Sequence, residues 1–149
     1  MAAGDNKQFR DYALKEGQGV YDNSSDSIAI AFISDAYSTV DVNATNPKLS
    51  DYTVVSGGNI LAVNTLSSVT WARSAGVTTL DAADLATFSK DASNPTNVKC
   101  ALVYNNTSAS DDAYCVYDLT ADGTTSLDLV NSDFTFSFGA SGILTATVA

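Results

Sequence analysis

The chemistry open to this chain is limited by a residue type that it lacks. The 149 residues include no histidine, so the usual general base of a Ser-His-Asp or Cys-His site is missing. Serine activated by lysine is the remaining arrangement, and the pairs closest in sequence are Ser89-Lys90 and Lys48 with Ser50. Both pairs lie beside predicted loops, where a solvated lysine keeps its proton. We therefore expect a protein that is not an enzyme.

Paired carboxylates are the second source of chemistry. Asp81 with Asp84 and the pair Asp111-Asp112 are candidates, but a glycosidase needs two acids about 5–9.5 Å apart across a sugar cleft. Aspartates this close together more often form turns and keep a protein in solution. Asp111-Asp112 and Asp122-Gly123 also offer the oxygen ligands that Ca²⁺ prefers, without the full EF-hand spacing. The sequence predicts no cofactor and no metal, with calcium as the weaker alternative.

The two cysteines fall on the two arms of one predicted hairpin. The expected register places Cys100 opposite Asp118 and Cys115 opposite Val103, so the thiols do not face each other. Two buried free thiols are therefore predicted, and a disulfide is the alternative.

Short strands separated by polar turns must position these residues. Every acidic residue except Glu16 is an aspartate, and serine, threonine and asparagine are abundant, as is typical of turns and caps rather than long helices. Eight to ten strands at this spacing predict an all-β fold, a two-sheet antiparallel sandwich of jelly-roll or Ig-like type. The predicted strands are 27–33, 52–55, 60–71, 77–80, 85–89, 98–104, 113–119, 124–130, 134–138 and 143–148.

Three of these strands carry more detailed predictions. Strand 27–33 is apolar on both faces, which predicts that both faces are covered. Strand 134–138 has three phenylalanines on one face, which predicts core packing between the sheets. Strand 60–71 is expected to be long and half-buried. Its inward residues would be Leu61, Val63, Val69 and Trp71.

An N-terminal segment precedes the strands. Residues 5–16 are good helix formers without glycine or proline, with Asp5 or Asn6 as the cap and Gly17 after the end. The sequence therefore predicts an arm over residues 1–22 and a β-sandwich domain over 23–149. Two interpretations of the arm stay open: a helix folded on its own sheet, or an arm that docks on a neighbouring chain. The residues expected to contact a partner are Lys7, Phe9, Arg10 and Tyr12.

Charge and hydropathy exclude some partners. The net charge is −10 and the pI is near 4.1, so phosphate repulsion argues against nucleic acid. No apolar run approaches the roughly 18 residues that span a membrane. The first residues contain no apolar segment of a secretory signal.

Several segments, in their order along the chain, resemble a family of small virion proteins of tailed bacteriophages. The segments are Asp26 to Ile33, the turn Ser56-Gly57-Gly58-Asn59, the run Val98 to Thr107, Tyr114 to Leu119, and the phenylalanine-rich Asn131 to Leu144. The resemblance implies a non-enzymatic capsid decoration (cement) protein that binds the major capsid protein. It also implies a homo-oligomer, a trimer by analogy with such lattices, made in the bacterial cytoplasm and located on the virion capsid surface. The same resemblance is also consistent with a role in the tail or at the base of a spike.

A second class of function is a receptor- or carbohydrate-binding module, either in a phage fibre or on a bacterial surface. Its cue is the predicted loop and strand over 105–117, which is rich in aspartate, asparagine and tyrosine. Calcium-dependent stability and sugar binding would distinguish it from a decoration protein.

Overall fold

The computed structural model describes residues 4–147, and it is an all-β fold of two antiparallel sheets with one short helix. The elements are β1 (Asn6–Gln8), α1 (Arg10–Gly17), β2 (Ile28–Ile33), β3 (Asn64–Thr65), β4 (Thr70–Ser74), β5 (Val77–Asp81), β6 (Cys100–Asn105), β7 (Asp112–Asp118) and β8 (Leu144–Thr147). One sheet has the order β1-β7-β6-β2-β3 and the other β4-β5-β8. The predicted fold class is confirmed, while the choice between jelly-roll and Ig-like connectivity stays a prediction.

The centre of the five-stranded sheet is buried on both faces. Every residue of β2, β6 and β7 is buried. One face packs against the second sheet through a shared cluster that includes Phe32, Val103 and Leu80. The opposite face is covered by Phe9 and by the chain between β2 and β3, which contains two single-turn 3₁₀ helices at Tyr37–Thr39 and Leu49–Asp51. The two-sided burial predicted for strand 27–33 is therefore confirmed.

The β6–β7 hairpin has the register that was expected for the cysteines. Cys100 pairs with Asp118 and Cys115 pairs with Val103, and both thiols are free and buried. A β-bulge follows Val103. Burial keeps both thiols protonated, because an apolar environment disfavours the thiolate.

The strand predicted over 60–71 is wrong in its length, and its facing is wrong at Leu61 and Val63. The facing is confirmed at Val69 and Trp71, which are partly buried and pack against the main core. Strand geometry is limited to β3 and β4, and Leu61 and Val63 are 60% and 41% exposed instead of inward. The reason lies in side-chain hydrogen bonds to the backbone: Asn64 Nδ2 donates to Leu61 O at 3.0 Å and so closes a local turn. Ser68, with φ of 53°, breaks the extended chain again before β4.

Other predicted strands reduce to single bridges. Segments 85–89 and 134–138 share one β-bridge, Phe88–Phe134, and a further backbone hydrogen bond from Leu85 N to Phe136 O at 3.1 Å. Segment 124–130 meets Val98 through Leu127. The predicted core role of the phenylalanines is confirmed, since Phe136 is 5% exposed and its neighbours Phe134 and Phe138 pack against the main core.

The N-terminal segment is a strand followed by a helix, rather than the helix predicted over 5–16. β1 pairs with β7, with Lys7 opposite Val116. The helix then begins after Phe9, which provides no side-chain cap. Pairing with an otherwise open sheet edge outweighs the helix propensity of Asn6–Gln8. Residues 1–3 of the predicted arm and Val148 of the last predicted strand lie outside the described residues.

Candidate functional site

The four residues predicted to contact a partner do not share a surface. Phe9 is fully buried and Tyr12 is 2% exposed, so both contribute to the protein's own core. Lys7 is half-buried, and its Nζ donates to Tyr37 O at 2.8 Å and lies 4.2 Å from the centroid of that ring. Arg10 is exposed. Partner contact by these residues stays a prediction, and Arg10 is the residue among them with a free side chain to offer.

Tyr12 holds the helix to the body through an aromatic cluster. Its ring lies edge-on to Tyr114 at 4.5 Å and stacks on Tyr21 at 5.8 Å between ring centroids. Its hydroxyl accepts a hydrogen bond from Asn23 Nδ2 at 2.9 Å. Desolvation, the largest cause, raises the pKa of Tyr12 well above its usual value. The cluster is therefore structural, and its rings offer no binding face.

An ion pair adds a second attachment. Lys15 Nζ lies 3.0 Å from Asp112 Oδ2, which also accepts a hydrogen bond from the Tyr21 hydroxyl at 3.3 Å. Both charged side chains are mostly shielded from solvent. In this structure the arm is folded on its own sheet.

The first candidate binding surface is an apolar groove of about 450 Å³, here called the Leu61 groove. Its two most exposed apolar side chains are Leu61 and Val63. Large exposed apolar side chains that lie together usually mark an interaction site. The lining residues are Leu61, Val63, Asn64, Thr65, Ser67, Asp84, Leu85, Ala86, Thr87 and Phe88.

The groove is held open by buried neighbours. Ile60 is 1% exposed and anchors the chain before Leu61, while the Asn64 amide donates to Ile30 O at 3.2 Å on the far side. Behind the groove, Phe88 lies edge-on to Phe32, with ring centroids 5.6 Å apart. The groove also borders β3, an edge strand of the five-stranded sheet. An apolar surface beside a sheet edge suits an extended segment of another protein.

The second candidate surface, here called the Tyr52 groove, has a volume of about 550 Å³. Desolvation, the largest cause, together with the negative charge of Asp51, raises the pKa of Tyr52 to about 12. The groove combines the apolar ring of Tyr52 with a hydrogen-bond donor, Lys48, and an acceptor, Asp111. Such a combination suits a polar organic ligand. The lining residues are Lys48, Leu49, Ser50, Tyr52, Val54, Ala109, Ser110 and Asp111.

Sequence reasoning missed both grooves. The even spacing of Leu61 and Val63 imitates a buried strand face, and only the flanking Gly57-Gly58 and Ser67-Ser68 pairs signal that the chain turns on each side. Lys48 and Tyr52 are brought to Asp111 by contacts distant in sequence, such as the hydrogen bond from Leu49 N to Asp111 O at 2.9 Å. Of the predicted loop and strand over 105–117, residues 109–111 line the Tyr52 groove.

Across residues 4–147, no group of three or more aspartate, glutamate and cysteine side chains is placed to hold a metal ion. Within the same residues, no helix has the length and apolar character that a membrane crossing requires.

No protein family, no curated protein and no solved structure matches this chain. The resemblance to virion proteins of tailed phages therefore stays a prediction from sequence.

Proposed function

We propose that this chain is a non-enzymatic structural protein of a phage virion, a capsid decoration (cement) protein that binds the major capsid protein lattice. The observation that supports this function best is the Leu61 groove, where Leu61 is 60% exposed beside β3, the terminal strand of the five-stranded sheet. The occupant that we propose is an extended segment of the capsid protein. Such a segment would add backbone hydrogen bonds at β3 and bury apolar side chains against Leu61 and Val63.

The action of such a protein is mechanical. A protein that binds the assembled shell and not its free subunits stabilises the shell by mass action. Burial of Leu61 and Val63 would contribute about 25 cal/mol per Å² of apolar surface removed from water. The net charge of −10 would keep free copies apart in solution. We further propose that copies assemble around the three-fold positions of the lattice.

The deciding experiment compares particles of the phage that encodes this chain, prepared with and without its gene and imaged by electron cryomicroscopy. We expect additional density on the head exterior when the chain is present. Density on the tail would move the proposal to that part of the virion. Density nowhere on the particle would contradict a structural role in the virion.

Surface variants locate the contact without damaging the fold. Leu61→Ser with Val63→Ser should lower the affinity for depleted particles at least about tenfold, because the buried apolar area is lost. Leu14→Ser is the matched control, since Leu14 is 56% exposed at a different position, on α1. Deleting residues 2–16 is a poor test, because it removes Phe9 and Tyr12 from the core. If Arg10→Ala or Leu14→Ser abolishes binding instead, the contact lies on the arm.

A second candidate function is a receptor- or carbohydrate-binding module, and the Tyr52 groove favours it. Tyr52 provides a ring on which a sugar could stack, and Asp111 and Lys48 provide an acceptor and a donor for its hydroxyls. A glycan array with the wild type and Tyr52→Ala tests this function. Binding that Tyr52→Ala abolishes would support it, and an array without any bound glycan would remove it.

A further inference from the structure

We propose that the turn after β7 binds a divalent cation, Ca²⁺ by its chemistry, through Asp118, Thr120 and Asp122. The inference is independent of the virion role. It also differs from the sequence prediction, which expected no metal and regarded Asp122-Gly123 only as a weak calcium candidate. The site combines two carboxylates with a hydroxyl, all supplied by alternate residues of one turn.

The spacing of these residues is the first observation. Calcium-binding loops of the EF-hand type place oxygen ligands at positions 1, 3 and 5 and a glycine at position 6. The turn after β7 has the same spacing, with Asp118 at position 1, Thr120 at 3, Asp122 at 5 and Gly123 at 6. Gly123 has φ of 69°, the left-handed conformation that the sharp turn at position 6 requires. Position 12 holds Leu129 instead of the glutamate of an EF-hand. The turn therefore resembles only the first half of such a loop.

The three side chains converge in space. Thr120 Oγ1 lies 3.0 Å from Asp118 Oδ1 and 3.4 Å from Asp122 Oδ1. Neighbouring ligand oxygens around Ca²⁺ at about 2.4 Å from the ion are about 2.9–3.4 Å apart. The Thr120 hydroxyl has a single proton to donate to the two carboxylates. When a cation binds, the hydroxyl can rotate and direct a lone pair toward the ion. Thr120 Oγ1 therefore lies at the separation of neighbouring calcium ligands from one oxygen of each carboxylate.

An unsatisfied buried carboxylate oxygen is the independent second observation. Asp118 is fully buried, and its Oδ2 has no hydrogen-bond partner within residues 4–147, whereas its Oδ1 accepts from Thr120 N at 2.9 Å. A buried carboxylate oxygen without a partner is costly, and stable structures usually give such an oxygen a hydrogen bond or coordinate it to a metal. A cation coordinated by both oxygens of this carboxylate would give Oδ2 the partner that it lacks.

The surroundings hold the ligands in place. The backbone of Asp118 is fixed on both sides, since its N–H donates to Asp5 O at 2.8 Å and its carbonyl accepts from Gly4 N at 2.7 Å. Asp122 is exposed, so a cation can reach the site from solvent. Asp122 Oδ1 accepts hydrogen bonds from the amides of Thr124 and Thr125 at 2.9 and 2.7 Å. The Asp122 oxygen therefore stays aimed at Thr120.

The ligand set implies the affinity and the selectivity. Two carboxylates neutralise one divalent ion, but three side chains do not fill a calcium shell of six to eight oxygens, so water and backbone carbonyls must complete it. We expect a dissociation constant of about 10⁻⁴–10⁻³ M, the range of extracellular calcium modules. Mg²⁺ should bind more weakly, because it demands a tighter octahedron and dehydrates reluctantly.

Calorimetric titration of the full chain with CaCl₂ in physiological salt is the test, with MgCl₂ as the second cation. We expect one Ca²⁺ per chain, accompanied by a rise in the thermal unfolding midpoint. Asp122→Asn should weaken binding at least about tenfold, because it removes a charge from an exposed position without disturbing the core. Asp128→Asn is the matched control, since Asp128 is an exposed aspartate of the same segment that forms its own turn with Val130 N.

Loss of binding in Asp122→Asn with retention in Asp128→Asn supports the site. Thr120→Val, which removes the hydroxyl but keeps the shape, should also weaken binding. No heat and no stabilisation of the wild type at millimolar Ca²⁺ would overturn the proposal. Equal binding by the wild type, Asp122→Asn and Asp128→Asn would overturn it as well, because it would assign the effect to diffuse attraction by the net charge of −10.

Discussion

At the scale of single residues, the side chains with the most altered ionisation hold the fold rather than perform chemistry. Desolvation raises the pKa values of Tyr37, Tyr52 and Tyr104 to about 12, and those of the remaining tyrosines still higher. Burial likewise raises the pKa of Cys100 to about 12. These groups are neutral in the folded protein at neutral pH, as core residues should be.

A pH dependence follows from these shifts. In the unfolded chain tyrosine ionises near pH 10, so between about pH 10 and 12 the unfolded state binds fewer protons than the folded state. Stability is therefore fully present below about pH 9 and falls as the pH rises through that window. We expect alkaline unfolding in which tyrosinate absorbance appears together with the loss of β-sheet circular dichroism. Tyrosinate absorbance near its ordinary pKa, while the β signal persists, would show that the rings are not buried.

At the scale of elements, the irregular segments are fixed by close backbone contacts. Gly58 has φ of 52°, and a Cβ placed on it would lie 2.5 Å from Asn94 Oδ1. That same oxygen accepts from Asn59 N at 2.8 Å, while the Asn94 amide donates to Leu129 O at 3.0 Å. One buried asparagine thus joins three stretches of chain and sets the loop that leads to the Leu61 groove.

Gly58→Ala should therefore lower the free energy of unfolding by at least about 1–3 kcal/mol, because it combines a strained φ with a steric clash. Gly17→Ala is the matched control: Gly17 ends α1 and a Cβ placed on it would meet no atom within 4 Å, so alanine should be neutral or stabilising by up to about 1 kcal/mol. Urea unfolding of both variants measures the difference. Equal midpoints for the two variants would show that the Gly58 turn is free to move.

Only part of this architecture can be predicted from the sequence. β2, β6 and β7 are predictable because their runs of apolar residues are long enough to fill both faces of a central strand. The segment 60–71 is not, because Asn64 and Ser68 reshape it through contacts that no periodicity records. The spacing of Asp118, Thr120 and Asp122 is visible in the sequence, but the burial that leaves Asp118 Oδ2 without a partner is a property of the folded chain.

At the scale of the whole molecule, burial is unequally divided between the two sheets. Every residue of β2, β6 and β7 is buried, whereas in β4 only Trp71 is partly covered. The two sheets are joined through the core and through links such as the Tyr117 hydroxyl, which donates to Ile143 O at 2.9 Å beside β8. The five-stranded sheet is the rigid scaffold, and the β4–β5 hairpin is its least protected extension.

This division predicts the order of hydrogen exchange. Amides of β2, β6 and β7 should exchange only by global unfolding, because opening them exposes both faces of the central sheet. Paired amides of β4 should exchange at least about tenfold faster through local opening, since separating β4 from β5 exposes little apolar surface. Exchange measured by mass spectrometry at several urea concentrations separates the two routes. If the amides of β4 and β6 exchange at the same rate at every urea concentration, the two sheets unfold as one unit. The β4–β5 hairpin would then owe its stability to the core rather than to its own pairing.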